Sequence, residues 1–413
     1  MRLVIGILIL IILPAASALR AQESQPVSEP DAAGSTPHPW MFMYDGVLYG
    51  TYNNQGGARG GEELISTNWV MGMASRTAGP GQLTLVGMMS AEPATVGPEG
   101  YRELFQVGES YHFLPIIDHQ HPHDLLMQAA AVWRLPLDDR THITFAGAPV
   151  GEPALGPVAF MHRRSAAENP TAPLGHHTFD STHIAMGVIT AAVDRGPWTW
   201  EGSIFQSTEP DENRWDLVDF GALDSWSARV WYEPSSRWQF QASTGYLAHP
   251  ERLEFQSVFR TTASASWLRT GEHGYTAVTA MAGHNQKSLD GGFTALLAEA
   301  THRRNAWSVY GRGETLQVET LVLQTGSAFH SHTMPTPKDV VTAGTAGLVW
   351  DLPSWRGFEV GFGGDATFYA VPDALRPYYG SSPVSAHVFV RVRPPAGHMG
   401  RMWNMRMARP SGH

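Results

Sequence analysis

From Trp40 onward, apolar and polar positions alternate in segments of about ten residues. In RWQFQASTGY, Trp238, Phe240, Ala242, Thr244 and Tyr246 share one face, opposite Arg237, Gln239, Gln241 and Ser243. DSWSARVWY sets Trp226, Ala228, Val230 and Tyr232 against Ser225, Ser227, Arg229 and Trp231. PWTWEGSIF opposes Trp198, Trp200, Gly202 and Ile204 to Thr199, Glu201 and Ser203. VSAHVFVRV sets Val384, Ala386, Val388, Val390 and Val392 against Ser385, His387 and Arg391. A period of two is the signature of a strand with two unlike faces.

Strands are predicted near 42–53, 63–76, 82–92, 123–135, 141–149, 182–194, 197–208, 223–233, 237–248, 259–269, 274–285, 292–303, 305–318, 340–351, 356–370 and 384–393. Every second connection is short: TAGPG, PLDDRT, RGP, EPSSR, TGEHG, RRN and LPSWR, or parts of these. The others are mostly longer, at 93–122, 150–181, 209–222, 319–339 and 371–383. This predicts an all-β fold, a transmembrane antiparallel up-and-down β-barrel of about 16 strands (14–18), with short periplasmic turns and long extracellular loops. A soluble periplasmic β-protein would show the same alternation, so aromatic placement has to separate the two. Trp238 and Tyr246 lie on one face, ~20 Å apart along a tilted strand, close to the spacing of two interfacial girdles.

The N-terminus changes the picture by adding export. Arg2 precedes the apolar run Leu3–Leu13, and Ala16-Ser17-Ala18 forms a small-residue cleavage site. This reads as a signal peptide over 1–18, because the run is too short to span a bilayer. Cleavage after Ala21 is the alternative. Residues 19–39 read as a disordered segment, 40–393 as the barrel and 394–413 as a periplasmic tail. The chain has no cysteine and a formal charge of −10. The charge argues against nucleic acid, which would call for a basic patch. The expected surroundings are the bacterial outer membrane, its lipid and lipopolysaccharide, and the barrel assembly machinery. The expected cargo is a small solute or metal ion.

Candidate chemistry concentrates in two long loops. LFQVGESYHFLPIIDHQHPHDLL carries Glu109, His112, Asp118, His119, His121, His123 and Asp124. In an extended chain His119, His121 and His123 share a face. The next loop supplies His162, His176, His177, Asp180 and His183. Neutral imidazoles suit zinc or copper, and a carboxylate such as Asp124 or Asp118 could complete or orient the set. The bland alternative is that these histidines only pack a polar plug. A single shared site requires the two loops to meet.

Four further features carry less. The tail holds His398, Met399, Met402, Met405, Met407 and His413, a mixture suited to Cu(I), although a basic tail with incidental methionines reads equally. EPDENRWDLVDF (209–220) reads as a solvated acidic loop, with Arg214 pairing inside it, and GGARGG (56–61) as a flexible tip. Glu201, Arg229, Arg312, His387 and Arg391 read as lumen lining that would tune ion selectivity. Nucleophile-elbow, zincin, Walker and dinucleotide motifs are missing from the sequence.

LFQVGESYHFLPIIDHQHPHDL, GEPALGPVAFMHRRSAAENP, LGHHTFDSTHI and EPDENRWD resemble strings in a family of uncharacterised Gram-negative outer-membrane β-barrel proteins with a QHPHD loop motif. The likeness runs over most of the mature chain. It implies a porin-like barrel and brings no ligand set with it. Three functions stay open: a porin-like barrel passing or capturing small solutes with histidine-rich loops narrowing the lumen, a closed metal-binding resistance or sensing component, and an outer-membrane metalloenzyme.

Overall fold

The computed structural model describes residues 39–253, 256–326 and 336–394. The signal-peptide reading and the Met/His tail fall outside the described residues. Among the described residues, sixteen antiparallel strands close into a barrel. β1 (Met41–Gln55) is followed by β2 (Gly61–Ile65) and β3 (Asn68–Ala78), two halves of one strand that both pair with β1. The wall continues through β4 (Gly81–Met89), β7 (Leu126–Asp138), β8 (Thr141–Gly151), β9 (Ala185–Arg195) and β10 (Trp198–Gln206). It then runs in sequence order from β11 (Ser225–Ser235) to β19 (Val384–Arg393), whose pairing with β1 closes the ring. Each of the sixteen predicted strands is present, with its ends moved by a few residues.

The faces are turned as a bilayer would require. Along β12 (Trp238–Leu247) the exposed positions are Trp238, Phe240 and Ala242, while Gln239, Gln241 and Ser243 are buried. β19 exposes Val384, Ala386, Val388 and Val390 and buries Ser385, His387 and Arg391. A soluble sandwich buries the opposite set, because water does not favour a continuous apolar exterior. Two aromatic rows follow the strand register. Trp198 faces Tyr232, and Trp238 faces Trp267, near the short-turn rim. Trp226 faces Tyr246, which faces Phe259, near the long-loop rim. Such rows sit where an apolar band meets its two interfaces.

The interior is occupied by chain. One inserted segment is a hairpin that the sequence pattern did not predict, β5 (Tyr101–Tyr111) and β6 (Leu114–Gln120). It breaks regular pleating at Phe105, Glu109 and Asp118, all at positive φ, which hides its alternation from a period-two reading. The other is the long connection 152–184. Leu104 and Phe105 of the hairpin and Leu174 and Phe179 of the connection share an apolar cluster with Met281, Leu297 and Val341 of the wall.

Buried ion pairs fix these insertions. Arg163 binds Glu299 at 2.6 Å and Asp180 at 2.8 Å. Arg229 binds Glu201 at 2.7 Å and Glu152 at 3.0 Å. Arg312 donates to the carbonyls of Thr171 and Ala172, and Arg391 pairs with Glu168. His387 meets Asp365 at 2.6 Å. The five predicted lumen-lining residues therefore face inward, but each is already engaged, three of them with inserted loop and Glu201 through Arg229. The GGARGG tip is also tied down, since Arg59 reaches Asp118 at 2.9 Å and stacks on Tyr379.

Candidate functional site

Where the two insertions meet, five imidazoles gather: His121 and His123 from the first, His176, His177 and His183 from the second. Ring centroids are 5.0 Å apart for His121–His177, 5.6 Å for His121–His176, 5.3 Å for His176–His183 and 5.5 Å for His123–His183. The helical turn His176–Phe179 puts consecutive histidines on adjoining sides. Its position is set from the wall, because Arg260 and Asn285 both donate to the carbonyl of His177, at 2.6 and 2.9 Å. Gly108 lets the hairpin approach: a Cβ there would lie 2.0 Å from Nε2 of His177.

One ring nitrogen from each of His121, His176 and His177 lies within 4.8 Å of the others. Nδ1 of His121 and Nε2 of His177 are 3.3 Å apart. Tetrahedral zinc, with bonds of about 2.0–2.1 Å, sets its nitrogen ligands about 3.3 Å from one another. The remaining nitrogens turn to carboxylates: His121 Nε2 to Glu109 at 3.1 Å, His176 Nδ1 to Asp180 at 2.8 Å, and His177 Nδ1 to Glu209 and Glu251 at 3.6 and 3.7 Å. That is the outer-shell pattern of a histidine metal site, in which a carboxylate fixes the tautomer, although Nδ1 of His121 also has the Gln120 amide 3.3 Å away. His176 is fully buried, and its Nε2 has no hydrogen-bond partner.

Electrostatics divides the imidazoles. Burial, with the neighbouring His177 and His176 rings adding to it, pushes His121 well below the usual histidine range. Burial likewise lowers His177, seconded by His176 and Arg260, and lowers His183 to about 3. Low values keep these rings neutral, the state that binds metal. His123 goes the other way. Burial opposes its charge most strongly of any single cause, but the Glu92 carboxylate, 2.9 Å from Nδ1, together with Glu109 and Asp124 raises it.

The remaining predicted residues fall outside this set. His119 bonds its own hairpin at the carbonyl of Ile117, 3.0 Å away, because β6 ends at Gln120 and the left-handed Asp118 breaks the alternation expected to align it with His121 and His123. His162 packs edge-on against Trp69 at 4.7 Å, and burial lowers it too. Asp124 is bound by Arg214 at 3.1 Å, and Arg214 also pairs with Glu109, so Arg214 joins two loops instead of pairing within its own. Burial raises Asp124 to about 7. Sequence reasoning missed Glu92, Glu209 and Glu251. Glu209 had been read as part of a solvated loop, and nothing near Glu92 or Glu251 marks them as site residues.

No protein-family model matches the chain, and no curated protein matches it. Solved structures do. Pseudomonas putida OprB, in a high-pH structure, is 9% identical, with a TM-score of 0.51 over 86% of this chain and 94% of that one. The anion-selective porin from Comamonas acidovorans is 10% identical over 86% of this chain and all of its own, with a TM-score of 0.49. Salmonella typhi OmpF in complex with daunomycin is 10% identical over 85% and 97%, with a TM-score of 0.49. At such identities the likeness is one of fold.

Proposed function

We propose that the chain is a porin-like outer-membrane barrel for passage or capture of small solutes, whose inserted loops bind a divalent transition-metal ion of the zinc or copper class. One observation carries the metal reading: two buried imidazoles and one half-buried one bring a ring nitrogen each within 4.8 Å of the others, and each has its other nitrogen turned to a carboxylate. The outward apolar face and the two aromatic rows support the membrane setting, with lipid and lipopolysaccharide as neighbours and assembly by the barrel machinery.

A second reading is favoured by the buried pairs Arg163–Glu299, Arg229–Glu152 and Arg391–Glu168, which pin the connection 152–184 to the wall. A barrel closed in this way captures its ion without passing bulk solute. Planar-bilayer recording of the refolded protein during Zn²⁺ titration separates the two. Steady conductance blocked by micromolar Zn²⁺, with the block lost in His121→Ala, supports passage. A silent, folded barrel that retains Zn²⁺ supports capture. A protein that neither binds nor responds to Zn²⁺ contradicts both.

A further inference from the structure

His177 belongs to two donor sets at once. Its Nε2 faces His121 at 3.3 Å, while its Nδ1 faces Glu209 and Glu251 at 3.6 and 3.7 Å. The second set, His177 with Glu209 and Glu251, also has its ligand atoms within 4.8 Å of one another. We propose that this outer set admits the metal ion and that His177 hands it to the three-histidine set. The inference rests on the metal reading above and adds a route to it.

The outer set has features of a cation position beyond acidity. Glu209 and Glu251 stand within hydrogen-bonding reach of each other, so a proton or a cation must sit between them. Oε2 of Glu209 is buried without a hydrogen-bond partner. Two nearby cations have their hydrogen bonds elsewhere, Arg214 to Glu109 and Asp124 and Arg260 to the His177 carbonyl, while Lys287 pairs with Glu319 and also acts on Glu251. A cavity of about 30 Å³, lined among others by Glu209, Glu251, His121 and Asp124, adjoins the set. That volume suits about one water-sized particle. The Glu251 side chain remains 26% exposed and gives the set its opening.

The chemistry of one ring makes the two sets exclusive. A neutral imidazole offers a lone pair on one nitrogen and carries its proton on the other. With the ion on the outer carboxylates, Nδ1 of His177 is the ligand and the proton sits on Nε2, towards His121. When the ion moves inward, Nε2 becomes the ligand and the proton moves to Nδ1, where Glu209 and Glu251 accept its hydrogen bond. Nε2 gives its proton to solvent and Nδ1 takes one up, and the Glu209–Glu251 pair takes up a further proton as the ion leaves it. The carboxylates suit a partly hydrated ion, and the nitrogens suit a dehydrated transition metal.

Stopped-flow absorption with Co²⁺ as the probe tests this on the full refolded chain. In Glu209→Gln/Glu251→Gln one ion per chain should still reach the three-histidine set, with the weaker affinity expected once the carboxylates behind Nδ1 of His177 are gone. Association should slow by roughly tenfold, the scale of a lost electrostatic funnel, whereas losing only the orientation of His177 would speed dissociation and leave association unchanged. Glu251→Gln alone, at a partly exposed position, serves as the second variant if the double variant misfolds. An unchanged association rate, or two Co²⁺ bound together in the wild type, overturns the hand-over while leaving the inner site standing. A wild type that takes up no Co²⁺ overturns the metal reading and the hand-over together.

Discussion

Nδ1 of His176 lies 2.8 Å from Oδ1 of Asp180, and the opposite ring nitrogen is buried without a hydrogen-bond partner. Asp180 is itself held by Arg163, which is held by Glu299 of the wall. The bare nitrogen is thus aimed by a chain of contacts reaching back to β15 (Gly291–Arg304). Removing His176 should abolish tight Zn²⁺ binding. Asp180→Asn, which leaves the ring in place, should weaken it by about 10–100-fold. Competition against a chromogenic chelator measures both, and equal affinity in wild type and Asp180→Asn would contradict the orienting role.

Glu168 is fully buried and pairs with Arg391, Arg393 and Ser308. Glu168→Ala leaves the buried Arg391 guanidinium with Asp351 as its remaining carboxylate partner, at a cost of about 1–3 kcal/mol. Denaturant unfolding should show this loss, and bilayer recordings should show larger or noisier conductance as the connection 152–184 loosens. An unchanged midpoint would mean that the pair does not hold the loop.

Burial, aided by the rings of His176 and His123, holds His183 at about 3 in the folded chain. The unfolded chain protonates this ring below about 6.5. The folded state therefore binds fewer protons, and stability falls as pH drops from about 6.5 towards 3, by up to about 1.4 kcal/mol per unit from this residue. His183→Gln should lose less stability than the wild type between about pH 7 and pH 5. Metal-free unfolding curves across that range check the sign, and an equal or steeper loss in the variant contradicts it.

Val388 is 65% exposed on the outward face of β19, beside the inward His387. Val388→Arg should destabilise the barrel in liposomes by about 2–4 kcal/mol, as charge does near the middle of a bilayer. A neutral effect would place this face in water.

The wall was legible because each strand repeats a two-residue code over about ten positions. Trp238, Phe240, Gln239 and Gln241 lie on the faces their alternation assigns, and the structure adds which face is outside. The inserted hairpin was not legible. Positive φ at Phe105, Glu109 and Asp118 breaks the period, and its partners lie far away in sequence: Asn53 bonds the Arg102 carbonyl, and Tyr379 bonds Asp118. The histidines stood out by composition, yet their roles depend on such long-range partners. His119, read as equivalent to His121, ends up bonded to its own strand. Glu209 and Glu251 became neighbours of His177 only because the connection 152–184 folds inward, where Arg260 and Asn285 hold the His177 carbonyl.

X-ray absorption at the zinc edge, on the refolded chain loaded with one equivalent of Zn²⁺, tests the central claim most directly. The expected result is a first shell containing three imidazole nitrogens at about 2.0–2.1 Å, with that shell lost in His176→Ala. An all-oxygen shell, or a spectrum unchanged by His176→Ala, would contradict a metal site at the meeting point of the two loops.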